Sequence, residues 1–312
     1  MDRALTQDFR FDPDDHAGYR RWRAHKLRNR IKDVSELIVE IEDLEHPTEA
    51  ELAALAARIR RVNLAVYATP APDVDKAVLR RFAHRFGLGR LDRNLCADED
   101  AITTLSVSRT GRKGDYIPYT NRRLNWHTDG YYNPPGREIR AILMHCVQPA
   151  ARGGESHLLD HELVYLRMRD ENPEWVRALM APDAMTIPAN TVAGRVIRGA
   201  VTGPVFRVEP DGSLHMRYSA RQRNVLWKED PRVQEAVAWL ADWWREDDPW
   251  IYHFRLMPGQ GILCNNVLHA RSAFEDDPAA GRMRKLYRAR FHDRIRLPAG
   301  AVEEDVEHAV VE

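Results

Sequence analysis

The stretch Trp126-His127-Thr128-Asp129-Gly130 constrains this chain more than any other. His127 and Asp129 stand two residues apart, and on an extended strand residues i and i+2 point to one face, roughly 7 Å apart along the backbone. An imidazole and a carboxylate so placed can converge on one ion. His269 lies far downstream, at the end of the apolar run Gly261-Ile262-Leu263-Cys264-Asn265-Asn266-Val267-Leu268. Two histidines and one carboxylate leave coordination positions open, the ligand set that suits a non-haem Fe(II) oxygenase. No other His-x-Asp or His-x-Glu occurs in the sequence.

Around that motif the residue pattern predicts strands and turns. Ile102–Ser108 reads as a strand, Thr110–Asp115 as a Gly-rich loop, and Ile139–Val147 as a buried strand because it is nearly all apolar. A hairpin is expected from Pro204–Glu209 through the turn Pro210-Asp211-Gly212-Ser213 to Leu214–Tyr218. Ile251–Met257, Gly261–Val267 and Leu286–His292 read as the remaining strands of this half. The first 90 residues are more helical. Residues 1–35 form a charged, aromatic arm expected to pack on the body through Phe9, Phe11, Tyr19 and Trp22. After the alternating strand Leu37–Glu42, Thr48-Glu49-Ala50-Glu51 is a capping box for a helix with Leu52, Leu55, Ile59 and Val62 on one stripe. Leu64–Ala68 reads as a strand, and a second helix runs from about Asp73 to Phe86, stopped by Gly87. Asp160 caps a helix expected to reach Met180. Asp230-Pro231 opens another, with Val233, Ala236, Val237, Leu240 and Trp244 inward, and Trp239 and Trp243 as packing residues. No Gly-rich strand-to-helix turn of the dinucleotide type appears. The pattern therefore predicts an α+β, mainly β chain, with a double-sheet core and helices packed outside. It divides into the arm 1–35, a single domain 36–297 with helical insertions, and an acidic tail 298–312.

Composition limits the partners. With 47 basic and 47 acidic residues the net charge is zero, so no global field draws the chain to nucleic acid or acidic lipid. Lysine occurs only at positions 26, 32, 76, 113, 228 and 285, so nearly all the cations are arginine forks suited to carboxylates. Cys96, Cys146 and Cys264 show no framework spacing, and with no apolar leader or membrane-length run the expectation is a reducing, cytoplasmic setting. A homo-oligomer is compatible with the sequence.

After His269, the run Arg284-Lys285-Leu286-Tyr287-Arg288-Ala289-Arg290-Phe291 places Arg284, Leu286, Arg288 and Arg290 on one strand face, and Tyr287, Ala289 and Phe291 on the other. Such a row is either a solvated edge or a set of inward cations that demand anions. A 2-oxo acid chelating Fe(II) needs one such cation for its distal carboxylate. These pieces resemble the taurine dioxygenase and clavaminate synthase-like superfamily of Fe(II)/2-oxoglutarate dioxygenases. Trp126-His127-Thr128-Asp129 is similar to that family's His-x-Asp end, and Gly153-Gly154-Glu155-Ser156 to its Gly-Gly-Asp-Thr motif. Asn266-Val267-Leu268-His269 resembles the distal histidine, and Arg284-x-x-x-Arg288 the closing element.

The resemblance covers about residues 36–295. It implies a double-stranded β-helix, or jelly-roll, core with Fe(II), 2-oxoglutarate and O2 as cofactor and cosubstrates, and succinate and CO2 formed as a substrate C–H bond is oxidised. By position it implies His127, Asp129 and His269 as metal ligands. Arg284, assisted by Ser156, would hold 2-oxoglutarate, with Arg288 as a second arginine and Arg282 as the alternative to Arg284 across the acidic loop Glu275-Asp276-Asp277. Arg123, Asn125 and Tyr131 are the candidate substrate contacts, and an anionic or zwitterionic small molecule is the expected substrate. His145, His157, His161, His215 and His253 are alternative ligands that read better as structural histidines. A Zn(II) hydrolase on the same triad and a non-catalytic metal-binding relative are the rival classes.

Overall fold

The structure, a computed structural model, describes residues 10–93, 98–108, 116–192, 194–245 and 247–296. The readings made at Phe9, Cys96, the Thr110–Asp115 loop and the acidic tail lie outside the described residues.

Ten strands position the site. They are β1 (Ile38–Glu40), β2 (Leu64–Ala68), β3 (Thr103–Leu105), β4 (Leu124–His127), β5 (Ala141–Gln148), β6 (Ser156–Leu159), β7 (Tyr252–Phe254), β8 (Gln260–Cys264), β9 (Leu268–Arg271) and β10 (Lys285–Phe291). A six-stranded sheet runs β1-β2-β8-β5-β10-β3, and a four-stranded sheet runs β7-β6-β9-β4. Only the β1–β2 pair of the larger sheet is parallel. The inner faces of the two sheets share one apolar layer, in which Leu64, Val66, Ile142, Ile262 and Leu286 meet Leu158, Tyr252 and Val267. Alternation sends the intervening residues outward. Ala65, Tyr67, Leu143, Leu263, Tyr287, Ala289 and Phe291 pack on helices α2 (Glu49–Val62) and α3 (Lys76–His84). Trp126, Leu159, Leu268 and Ala270 on the smaller sheet pack on α4 (His161–Glu171), α5 (Pro173–Leu179) and α6 (Pro231–Trp243). Burial on both faces explains why β5 and β10 read as continuous apolar or mixed runs in the sequence.

The helix signals are borne out locally. The Thr48 hydroxyl accepts from Glu51 N at 3.2 Å while the Glu51 carboxylate accepts from Thr48 N at 2.6 Å. Asp230 caps α6 through Arg232 N at 2.9 Å, with Pro231 in the first turn. Three expectations need correction. The second helix begins at Lys76, because Asp75 and not Asp73 accepts the first free amide, Ala77 N, at 2.7 Å. The helix from Asp160 does not run to Met180. Asn172 precedes proline, which disfavours helical backbone, so it adopts φ −155° and ends α4 while its side chain caps α5. On α6 Trp243 is the tryptophan buried in the core, whereas Trp244 is half-buried and stacks on it at 5.3 Å.

The arm packs on the body through helix α1 (His16–Arg28). Phe11, Tyr19 and Trp22 join the core under α4. Its Lys26 is buried, and its ammonium reaches Asp160 at 2.6 Å, Glu162 at 2.6 Å and the Arg61 carbonyl at 2.9 Å. The contacts to Glu162 and the Arg61 carbonyl are hydrogen bonds, and the contact to Asp160 is an ion pair. Among the described residues no helix is long and apolar enough to cross a membrane.

Removing one partner of a buried ion pair strands the other, so Lys26→Met should destabilise the fold by about 3–5 kcal/mol in urea titration. Burial works to raise the Glu162 pKa, but Lys26 outweighs it and holds the carboxyl down at about 2. The stabilisation from this depressed group is complete above its ordinary value of 4.5 and is lost as pH falls from there toward 2. The variant should lose that acid sensitivity, which denaturation midpoints across this window would show.

Candidate metal centre and its cavity

Strands β4 and β9 are antiparallel neighbours, and their register puts His127 directly opposite His269. Because Trp126, Leu268 and Ala270 belong to the outer layer, the two imidazoles point the other way, toward the space between the sheets. Their ring centroids are 4.2 Å apart. His127 Nδ1 lies 2.8 Å from the Asn125 carbonyl and His269 Nδ1 lies 2.9 Å from the Val267 carbonyl. A carbonyl only accepts, so each Nδ1 carries the proton and each Nε2 presents a lone pair.

Asp129 lies just beyond β4, where Gly130 turns the chain at φ +68°; a Cβ there would meet Ile139 Cγ1 at 2.3 Å. Asn266, itself left-handed at φ +49°, clamps this turn. Its Oδ1 accepts from Asp129 N at 2.8 Å, and its Nδ2 donates to Asp129 O at 2.9 Å and Ile139 O at 2.6 Å. Thr128 N donates to Tyr218 O at 3.0 Å, which ties a further segment to the open edge of β4. The ligand atoms of His127, Asp129 and His269 lie within 4.8 Å of one another, and all three residues are buried. Asp129 Oδ2 is buried and completes no hydrogen bond, although Arg288 Nη1 stands 3.1 Å away. Burial works to raise the Asp129 pKa, but the Arg288 guanidinium beside it outweighs that effect, and the carboxyl sits well below its usual range. Burial pushes His269 down to about 4. Anionic carboxylate and neutral imidazole are the forms a divalent metal requires, so the donor set fits such an ion.

The arginine row after His269 is interior. β10 is paired on both sides, by β5 and β3, which rules out the solvated-edge reading. Arg284, Arg288 and Arg290 are all buried. Arg284 shares a small recess with Ser156, Cys146 and Arg255. Gly153 makes room for the recess wall, since a Cβ at its φ of +68° would meet the Ala273 carbonyl at 2.3 Å. Burial lowers the Arg284 pKa to about 10, and among the described residues no carboxylate stands within ion-pair distance of its guanidinium. Arg282, by contrast, is exposed and faces Asp277 at 3.7 Å. The recess therefore contains Arg284, not Arg282.

A cavity of about 630 Å³ opens beside the triad. Asn125, Tyr131 and Arg288 line it, as the sequence led us to expect. Arg123 does not: it is exposed and absent from the wall. The strand begins only at Leu124, so inward–outward alternation does not extend back to residue 123. Arg198, Arg221 and Asp92 reach the cavity without any local motif to announce them, and Asp92 pairs there with Arg290 of the expected arginine row. Four of the alternative histidines have partners of their own. His145 lies between the Pro72 carbonyl at 2.8 Å and Tyr67 Oη at 3.1 Å, His161 faces the Leu214 carbonyl at 2.9 Å, and His157 and His253 pack edge to face at 4.6 Å. Among the described residues, His127, Asp129 and His269 form the metal-competent group.

Comparison with known proteins adds an independent line. The family model for taurine catabolism dioxygenase TauD, TfdA family, matches residues 36–290. A uridine-5'-phosphate dioxygenase from a Streptomyces species is 33% identical over 194 residues, which is 61% of this chain and 69% of that protein. A second, from an Amycolatopsis species, is 31% identical over 169 residues, 52% of this chain and 60% of that protein. Asparagine oxygenase, solved with Fe(II), 3-hydroxyasparagine and succinate, has a similar fold, with a TM-score of 0.54 at 16% identity over 78% of this chain and 79% of its own.

Wild-type protein should bind one Fe(II) or Co(II) per chain, and His127→Ala, Asp129→Ala and His269→Ala should each abolish that binding. Asn266→Ala removes no ligand but frees the Asp129 turn, and should weaken the metal about 10- to 100-fold. Equilibrium dialysis on folded variants checks both; unchanged affinity in Asn266→Ala would show that the clamp does not position Asp129.

Proposed function

The chain belongs to the TauD/TfdA family of dioxygenases, and from that premise we propose a role for each residue of the site. It is a Fe(II)- and 2-oxoglutarate-dependent dioxygenase. We read residues 36–296 as one catalytic unit carrying the arm, and the facing sheets as a double-stranded β-helix core. His127, Asp129 and His269 are the iron ligands in this reading, and bound iron supplies the place where 2-oxoglutarate and O2 meet. Arg284 and the Ser156 hydroxyl hold the distal carboxylate of 2-oxoglutarate in the recess. A fork in a dry site aligns that carboxylate better than a point charge would. Arg288, resting on Asp129, keeps the ligand carboxylate ionised and aimed. The apolar layer between the sheets excludes water from the reacting atoms. Tyr131, whose ring lies edge-on to His127 at 6.4 Å, forms part of the wall that aims the substrate C–H bond.

The substrate is a small anionic molecule, and within that class we propose a nucleoside 5'-phosphate, with uridine 5'-phosphate as the first candidate. The observation that carries this is the cavity wall beside the triad. It offers guanidinium groups together with the amides of Asn125, Asn190 and Asn224, a combination that suits a phosphate joined to a polar ring. The activity for which the Streptomyces and Amycolatopsis relatives are named points to the same compound. A Zn(II) hydrolase on the same ligands would have no use for a buried, uncompensated Arg284.

Succinate release with Fe(II) and 2-oxoglutarate should rise above background with uridine 5'-phosphate, and much less with uridine or taurine. A panel in which no phosphorylated nucleoside stimulates release would refute the substrate. Arg284→Ala should weaken 2-oxoglutarate by about 2–5 kcal/mol, the usual loss when a buried charge pair is truncated. Lysine there should restore only part, and Arg282→Ala should change nothing. The reverse ranking would place the cosubstrate elsewhere.

A further inference from the structure

Three arginines reach the cavity from half-buried or buried positions on the strands around it, and two of them already have counter-ions. Arg288 lies on Asp129 at 3.1 Å. Arg290 is buried against Asp92, and its Nη1 donates to the Tyr132 hydroxyl at 3.0 Å. Arg198, at the end of the strand Arg195–Arg198, is different. Its Nη1 donates to Gly199 O and its Nη2 to Pro188 O, both at 2.8 Å. Those acceptors are neutral, and they account for two of its five N–H donors. Among the described residues no carboxylate lies within ion-pair distance of it. Its surroundings are phenols: Tyr116, Tyr131 and Tyr132 bear on its charge, with the Tyr132 ring 5.7 Å from Cζ.

A neighbouring cation makes this corner more positive still. Arg217 is buried and close enough to Arg198 for the two charges to oppose each other. Arg217 commits its own donors to the carbonyls of Tyr131, Met185, Gly203 and Val201, so it fixes the corner but has little left for a ligand. Arg221 supplies a second fork. It is half-buried on the same wall, one residue beyond a segment held to the His127 strand by Thr128 N→Tyr218 O at 3.0 Å and Ala220 N→Trp126 O at 2.8 Å. A desolvated guanidinium with neutral neighbours carries a cost that an entering anion relieves. Two forks suit a phosphomonoester, which offers three oxygens and up to two charges.

We propose that Arg198 and Arg221 hold the phosphate of the substrate and set the preference for a phosphorylated over an unphosphorylated molecule. The assignment rests on the nucleoside-phosphate reading for its ligand, and on the distribution of charge in the cavity for its residues. Arg198 thus takes the part that the sequence pattern suggested for Arg123, while Arg288 is retained by Asp129.

The test compares wild type, Arg198→Gln, Arg198→Lys and Arg221→Gln at constant ionic strength, with 2-oxoglutarate affinity as the check that each variant is folded. Succinate release is measured with uridine 5'-phosphate and with uridine. Truncating a buried charge pair should raise the KM for uridine 5'-phosphate at least about 30-fold in Arg198→Gln. The KM for uridine should not rise, so the preference between the two collapses; Arg198→Lys should recover part of it. Folded Arg198→Gln and Arg221→Gln that keep the wild-type preference would overturn the proposal. If Arg198→Gln does not fold, Arg198→Lys decides, because an unchanged KM for uridine 5'-phosphate without the fork overturns the proposal equally. If wild type uses no phosphorylated nucleoside, the substrate reading fails by itself. Inorganic phosphate is then titrated into wild type and variants with Fe(II) and 2-oxoglutarate bound. Binding that is lost in Arg198→Gln and Arg221→Gln supports the phosphate site, and absent or equal binding refutes it.

Discussion

The site depends first on the pairing of β4 with β9. That one register places His127 opposite His269, although 142 positions of sequence separate them, as the two residue numbers show. A slip of one residue would turn an imidazole into the outer apolar layer and bring Trp126 or Ala270 into its place. Register is protected because the outer face is buried against helices, so the wrong pairing would expose tryptophan and leucine while burying polar rings. The Asn266 clamp then extends the order beyond the strand ends. It binds the Asp129 turn to the approach of β9 by two hydrogen bonds, with a third to Ile139 O, so the carboxylate, which no strand holds, is fixed by the same pair of chain segments as the histidines.

A second constraint is the placing of charge inside the sandwich. Arg284, Arg288 and Arg290 all enter the inter-sheet layer from one strand face, and their environments differ. Arg290 has Asp92, Arg288 has Asp129, and Arg284 has no carboxylate among the described residues. Charges left uncompensated by the protein mark where an anionic ligand completes the structure. In the proposed reading Arg284 in the recess serves the cosubstrate and Arg198 with Arg221 in the cavity serves the substrate, whereas Arg217, also without a carboxylate, spends its donors on four carbonyls. The recess is small and the cavity is large, which matches a short dicarboxylate and a bulkier molecule.

Legibility in the sequence followed locality. The Thr48–Glu51 capping box, the β10 alternation and the His-x-Asp pair rest on contacts within a few residues, and these appear in the structure as read. The break at Asn172-Pro173 was equally local, written in the residue before proline, but the apolar periodicity across it masked the stop. Arg123 failed for a boundary reason: alternation argues only inside a strand, and β4 starts one residue later. Arg198 and Arg221 carried no local sign at all, because what distinguishes them is the lack of a counter-ion, a property of the folded surroundings. Asn266 lay in plain view inside the distal-histidine motif. Its function as a clamp needed the Asp129 turn to be its neighbour, which only the β4–β9 pairing brings about.

The net charge of zero bears on how such a site would capture an anion. With 47 charges of each sign, and many of the exposed arginines paired with carboxylates, there is no long-range field to concentrate an anion around the molecule. Affinity must then arise at contact, from guanidinium forks already stripped of part of their water. Contacts of that kind are screened less by salt than surface attraction is. Ionic strength should therefore alter the association rate of a phosphorylated substrate only slightly, and specificity should reside in dissociation, where release of the anion leaves the half-buried Arg198 among its phenols without a counter-ion. The same logic explains why Arg217 is tied to four carbonyls instead of a carboxylate. An acid placed there would neutralise the corner that Arg198 needs positive, whereas carbonyl oxygens satisfy the donors of Arg217 and leave its charge in place.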